Sequence, residues 1–266
     1  MNDNIKRLVK EAVTTLIKDT MAEDKTKVIM ERHEKKIHFI PIRYRVLGGL
    51  LQSLNIKFGN YIELLIRLIV QNEPNLEIIS DISGKKNVKL ALNDETDALI
   101  DRYITESQTS DGSQLNTRFT NLLNRIIESE NSSKTAIVKK HDVDILFRNK
   151  LTKKLYYLEV KYNDDHDTGK FMDINRKFVK TYAGIVNKLK IRKIDDLKPI
   201  LYYLNDKKKI GNIYIPEITN IYRGPKLFKE FFTIKYDELD EYLREIGEDE
   251  EILKIFDNVY KRIRFS

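Results

Sequence analysis

Apolar residues recur at helical spacing from the first turn of the chain. Ile5, Leu8, Val9, Ala12, Val13 and Leu16 share one face, which predicts an amphipathic helix. Residues 47–54 and 61–71 predict two further helices, separated by Asn55-Ile56-Lys57-Phe58-Gly59 with Gly59 as the break. The second is apolar nearly all round, the pattern of a buried helix. Residues 76–80 and 88–92, joined across Gly84-Lys85-Lys86, read as a hairpin. Leu115, Phe119, Leu122, Leu123, Ile126 and Ile127 mark another amphipathic helix after the Ser110-Asp111-Gly112-Ser113 turn.

From residue 135 the period changes from helical to alternating. Residues 135–147 and 154–162 alternate and are separated by a short connection, so they form a β-hairpin. A helix follows over 170–189, with Phe171, Ile174, Phe178, Tyr182, Ile185 and Leu189 on one face. Residues 198–204 read as a strand and 213–215 as a short one, and two or three helices run to the end. Strand, strand, helix, strand after a helical region implies an α/β fold with a mixed β-sheet flanked by helices. Three regions follow: a mainly helical 1–134, a core at 135–205, and a C-terminal loop and helices at 206–266.

With 41% hydrophobic and 33% charged residues, a chain of 266 residues is globular and ample for a core. It has no cysteine, which excludes disulfides, thiolate zinc, a Cys nucleophile and Cys-ligated haem or iron–sulfur centres. His33, His38, His141 and His166 have no partner at HxxxH spacing, against a zinc hydrolase. The start of the chain lacks a signal-peptide layout, and no stretch reaches the ~20 apolar residues of a membrane span. The expectation is a soluble, cytoplasmic protein without a membrane partner. The net charge of +7 is uneven: 237–251 holds nine acids and one base, which leaves +15 on the rest. That distribution suits a polyanion partner.

The hairpin faces carry the chemistry. If the turn is centred on Leu151-Thr152, Asp144 stands across from Glu159 and Asp142 from Lys161, whereas a shift of two residues would set Asp144 across from Lys161 or Tyr157. Like charges directly opposite on a sheet are unfavourable, and a divalent cation between them is one remedy. The other reading is an ordinary solvated face of Asp142, Asp144, Glu159 and Lys161. Against it stands the whole constellation: an Asp, then Glu-x-Lys fifteen residues on, then a basic helix.

The run His141-Asp142-Val143-Asp144-Ile145-Leu146-Phe147, then Leu155-Tyr156-Tyr157-Leu158-Glu159-Val160-Lys161, resembles the PD-(D/E)xK nuclease core. More narrowly it is similar to type II restriction endonucleases. Ser53-Leu54-Asn55-Ile56-Lys57-Phe58-Gly59 with Glu63 resembles a helical segment of those that cut short palindromes interrupted by an unspecified base, of the GANTC or GGNCC kind. The core resemblance covers 135–205. Val143 stands where a literal "PD" has Pro, which leaves Asp142 and Asp144 both open. Asp144 is preferred because it matches the acid of the family's Val-Asp-Ile/Leu strand.

The resemblance implies a restriction-endonuclease-like core that hydrolyses double-stranded DNA with Mg²⁺. Asp144, Glu159 and the Val160 carbonyl would hold the metal, Lys161 would orient the attacking water, and Glu63 would be a helix-borne acid nearby. The alternative for Glu63 is an i,i+4 pair with Arg67. Glu128 is a weaker nominee for the same role. Lys170, Arg176, Lys177 and Lys180, with Lys207, Lys208, Lys209 and Arg223, are the expected DNA contacts, mainly to phosphate. A palindromic site implies a homodimer, joined through the C-terminal helices or the N-terminal region. A DNA methyltransferase in the same genome is the expected companion. The competing classes are a repair or junction-resolving nuclease of the same fold, a nucleotidyltransferase using Asp142-Val143-Asp144, and a non-catalytic binding module.

Overall fold

The computed structural model describes residues 1, 3–110, 112–132, 136–164, 168–207 and 211–265. Along the chain run α1 (Asp3–Thr20), α2 (Glu23–Glu34), α3 (Ile42–Asn72), β1 (Leu76–Ile78), β2 (Gly84–Asn93), α4 (Asp94–Ser107) and α5 (Leu115–Ser132). There follow β3 (Ala136–Val143), β4 (Ile145–Asn149), β5 (Leu155–Lys161), α6 (Thr168–Leu189), β6 (Leu197–Tyr203), β7 (Ile221–Arg223), α7 (Pro225–Phe231), α8 (Tyr236–Gly247) and α9 (Glu250–Phe265). The chain divides into two compact units, residues 1–65 with 233–266, and residues 66–232.

In the second unit the described strands form a five-stranded sheet in the order β1-β4-β5-β6-β7. The pairs β1–β4 and β4–β5 are antiparallel, while β5–β6 and β6–β7 are parallel. This is the expected mixed sheet with flanking helices. The β4–β5 register sets Ile145 against Leu158 and Phe147 against Tyr156, which is the register with the turn centred on Leu151-Thr152 and not one shifted by two residues. The Phe147 and Tyr156 rings stack at 5.2 Å, and Phe231 of α7 closes edge-on over both. On the other face Phe178 of α6 stacks on Tyr157 at 5.3 Å. Burial on both faces explains why β4 and β5 carry long apolar runs.

Four local expectations are corrected. Residues 42–72 form one helix, not two, because the intervening segment contains no proline. A helical Gly59 costs only ~1 kcal/mol, less than the burial of Tyr61 and Ile62 just after it returns. Residues 76–80 and 88–92 are not a hairpin: β1 pairs with β4, and β2 with β3 in a separate ribbon. The strand expected over 135–147 breaks at Asp144, β3 serving the ribbon and β4 the sheet. Residues 213–215 are loop, since the Asn212 side chain accepts from the Tyr214 and Ile215 amides at 2.8 and 2.9 Å. The short strand is Ile221–Arg223 instead.

Helix α4 was not expected at all. Its signal is Asn93-Asp94-Glu95-Thr96-Asp97: Asn93 Oδ1 caps by accepting from the Glu95 amide at 2.9 Å, with acids in the first turn.

In the first unit, α1 packs with α9. The acidic stretch 237–251 is engaged there: Lys10 pairs with Asp249 at 2.5 Å, Lys18 with Glu251 at 2.6 Å, and the N-terminal amine with Glu238. Among the described residues, no helix is long and apolar enough to cross a membrane.

Candidate active site

The break between β3 and β4 builds the site. Ser83 sits buried beneath it, donating to the Leu146 carbonyl at 2.8 Å and accepting from the Leu146 amide at 2.7 Å. The next residue, Gly84, donates its amide to the Asp144 carbonyl at 3.2 Å from a backbone with φ of 96°. A side chain is strained at that φ and would also displace the Arg67 guanidinium, whose Nη1 lies 2.5 Å from where a Cβ would stand, so glycine is favoured. Held in this way, Asp144 turns its carboxylate toward β5, where Oδ2 accepts from the Val160 amide at 2.9 Å.

Glu159 is opposite, on β5, 1% exposed. Its Oε2 accepts from the Tyr157 hydroxyl at 2.8 Å and its Oε1 from Lys161 Nζ at 2.8 Å. Lys177, one helix away on α6, brings its ammonium to 3.5 Å from the same Oε1. Lys161 Nζ also lies 3.0 Å from the Val160 carbonyl and 3.7 Å from Asp144 Oδ2. One cationic nitrogen therefore faces all three oxygens nominated as metal ligands.

The solvated-face reading fails on burial: Asp144 is 6% exposed and Glu159 1%. Desolvating two neighbouring carboxylates is costly unless they are paired and hydrogen-bonded. Burial is the largest influence on Glu159 and pushes its pKa up. Lys161, Lys177 and the Tyr157 hydroxyl together outweigh it, so the group stays below the usual carboxylate range. Tyr157 moves the other way: burial first, then the Glu159 and Asp144 charges, push it well above the normal phenol value, and it remains a donor.

The donor set fits a hard divalent cation. Two carboxylates and a backbone carbonyl are oxygen ligands, and Mg²⁺ ordinarily keeps waters in its remaining positions. No group of three or more His, Asp or Glu suited to a metal occurs among the described residues, so a cation here depends on the carbonyl and on water.

The nominated residues separate into three groups. Asp144, Glu159, Val160 and Lys161 converge. Asp142 is exposed on β3, and Glu128 is exposed on α5. Glu63 lies on α3 in the first unit, whereas the converging residues lie in the second. Among the proposed DNA contacts, Lys170 and Lys207 are exposed, and Lys208 and Lys209 lie outside the described residues. Arg176 is held by Asp101 and Asp173, both at 3.0 Å. Lys180 is held by Asp97 at 2.7 Å and Asp101 at 3.0 Å. Arg223 is held by Asp164 at 3.0 Å and Glu217 at 3.2 Å, over the Tyr203 ring.

Sequence reasoning missed Tyr157 and Ser83, and placed Lys177 only as a phosphate contact. Tyr157 was legible in principle, since it shares a strand face with Glu159 two residues on.

Comparison with known proteins decides the family. A model of the HinfI type II restriction endonuclease family matches residues 1–247. The chain belongs to the HinfI family. It is 46% identical to the type II restriction enzyme HinfI of Haemophilus influenzae over 263 residues, covering 99% of this chain and 98% of that one. No solved structure matches. As a HinfI-family type II restriction enzyme it is a site-specific deoxyribonuclease acting on double-stranded DNA, and enzymes of this type generally use a divalent metal.

Proposed function

We propose that the chain is a homodimeric, Mg²⁺-dependent endonuclease whose reacting centre is Asp144, Glu159 and Lys161, cutting DNA at a short palindrome interrupted by an unspecified base. The observation that carries this reading is the approach of Lys161 Nζ to Glu159 Oε1, the Val160 carbonyl and Asp144 Oδ2 at 2.8, 3.0 and 3.7 Å. Those three oxygens define a place where positive charge is favoured.

Asp144, Glu159 and the Val160 carbonyl are the residues that would hold Mg²⁺. A divalent cation held there would supply positive charge against the scissile phosphate and would lower the pKa of a nearby water. The protein's own contribution is positional. The Val160 amide fixes Asp144, and Tyr157 and Lys177 keep Glu159 oriented and ionised. Lys161, held as a cation by Glu159 and Asp144, orients the attacking water and offsets charge on the phosphoryl group. Water attacks phosphorus in line, so that a new P–O bond forms as the bridging P–O bond opposite breaks, and the proton that the water gives up and the one that the leaving oxygen takes are exchanged with solvent.

Glu63 enters this reading through the sequence resemblance alone, as does the division of labour among 1–134, the 135–205 core and the 206–266 recognition or dimerisation segment. A two-fold palindrome cut on both strands favours a symmetric dimer. A partner methyltransferase in the same genome and a cytoplasmic location belong to the same reading.

The test is cleavage of long DNA by wild type and Glu159→Ala, each with Mg²⁺ or EDTA. Discrete fragments that require Mg²⁺ and vanish in the variant support the reading, and their sequenced ends give the site. Cleavage that survives in EDTA or in Glu159→Ala contradicts it.

A further inference from the structure

The second unit holds the reacting centre, yet three of its nominated phosphate contacts, Arg176, Lys180 and Arg223, are engaged by carboxylates of the chain itself. The first unit has cations of a different kind. A groove of about 620 Å³ runs along α2 and α3, lined by Lys25, Arg32, His33, Lys36 and Lys57 with no carboxylate in its wall. Among the described residues, Arg32, Lys36 and Lys57 ion-pair with no acid. The helices approach closely enough at Gly49 that a Cβ would come within 3.2 Å of both His33 Nε2 and Ile29 Cγ2, so the floor of the groove is tight.

The loop 35–41 joining the two helices is built rather than loose. Arg45 Nη1 donates to the His33 carbonyl at 2.8 Å and the Lys36 carbonyl at 3.2 Å. At the tip His38 Nδ1 accepts from the Ile40 amide at 3.0 Å, with the His38 and Phe39 rings 5.0 Å apart. The result is that Ile37 and Phe39 stand 104% and 93% exposed. Large apolar side chains fully exposed together mark an interaction surface. No acid occurs between Lys35 and Ile62, a stretch that contains Lys35, Lys36, Arg43, Arg45 and Lys57. The nearest acids on α2, Glu31 and Glu34, do not line the groove.

We infer that the α2–α3 groove and the 35–41 loop form a DNA-contact face of the first unit, with Arg32, Lys36 and Lys57 taking backbone phosphates and Phe39 entering the duplex. This rests on the endonuclease reading above, in which duplex DNA is the substrate. Charge complementarity selects DNA over a second copy of the chain, because a two-fold contact would press Lys35, Lys36 and Arg43 against their own counterparts. Apolar side chains flanked by cations are a known means of unstacking a base step. The acidic segment is consistent with this arrangement, since Asp249 and Glu251 are already paired with Lys10 and Lys18 of α1.

The experiment uses the full chain in EDTA and a fluorescent duplex carrying the cleavage site, with binding measured by anisotropy over a salt series. Arg32→Gln/Lys36→Gln/Lys57→Gln is expected to weaken binding at least tenfold and to lower the log–log salt slope by roughly two to three. Phe39→Ser is expected to weaken binding and to abolish the emission rise of 2-aminopurine in the duplex, with sedimentation unchanged. A wild-type salt slope in the triple variant overturns the inference. So does a Phe39→Ser protein that binds DNA normally but sediments differently, which would make the loop a subunit contact. In both cases wild type still cleaves; absence of cleavage by wild type instead removes the endonuclease reading itself.

Discussion

Replacing Tyr157 with Phe removes one oxygen from the centre of the site and little else. Tyr157 is fully buried, and its ring stacks on Phe178 at 5.3 Å, so a Phe ring keeps that packing. What is lost is a 2.8 Å hydrogen bond to Glu159 Oε2, a carboxylate 1% exposed, together with the hydroxyl's contact to the Thr181 side chain. Hydrogen bonds to charged groups contribute ~1.5–3 kcal/mol, and the acceptor left behind cannot recruit bulk water. The expected cost is therefore ~2 kcal/mol of stability at pH 7.5, read by urea denaturation. Its pH dependence has a definite sign. Burial raises the Glu159 pKa, but Lys161, Lys177 and this hydroxyl hold it below 4.5. Stability linked to the ionised form is thus present above 4.5 and lost as pH falls through the lower folded-state value. The difference between wild type and variant should shrink over that acid range. Because Oε2 loses its anchor, single-turnover cleavage should also fall ~10–100-fold, the usual effect of removing a group that orients a metal ligand. A variant equal to wild type in both stability and cleavage rate would refute the reasoning.

Two other expectations follow from packing and from charge. Gly184 of α6 lies so close to β2 that a Cβ would meet Leu90 Cβ at 2.7 Å, and Leu90 is fully buried. Gly184→Ala should cost ~1–3 kcal/mol by thermal or urea unfolding, and an unchanged midpoint would mean that the helix can lift off the ribbon freely. His141 bonds Thr181 Oγ1 at 3.1 Å, and its pKa is lowered, first by burial and then by Lys177, Lys139 and Lys180, against the opposing charge of Asp142. A depressed folded-state value means stability is full above 6.5 and declines as pH drops below it. The decline between pH 7.5 and 5.5 should be smaller in His141→Gln, and an identical pH profile would show that His141 does not titrate with folding.

The features legible in the sequence are those set by neighbours along the chain. The 3.6 period located α1, α5 and α6, and the alternation located the β4–β5 hairpin, while its register, one of those that the alternation allowed, is set by the fold and brings Asp144 alongside Glu159. What failed depends on partners distant in sequence. Nothing local says that β1 pairs with β4 rather than with β2, because both strands have similar apolar alternation. The break at Asp144 is imposed by Ser83 and Gly84, sixty residues earlier, and by the Val160 amide. The same limit hid which basic residues are already paired: Lys180 meets Asp97 and Asp101 only because α6 packs on α4. By contrast, Gly59 was a local signal that misled, as the helix absorbed it.

The central claim is that catalysis rests on Asp144, Glu159 and Lys161, and not on the neighbouring acid Asp142. Single-turnover cleavage by Asp144→Asn and Asp142→Asn, at saturating protein and Mg²⁺, measures it most directly. Asp144→Asn should lose ~10²–10³-fold in rate, a loss on the scale of removing a group that stabilises charge in the transition state, while still binding the duplex. Asp142→Asn, altered at an exposed position on β3, should cleave within a few-fold of wild type. Wild-type cleavage by Asp144→Asn, or loss of cleavage in Asp142→Asn alone, would contradict the account.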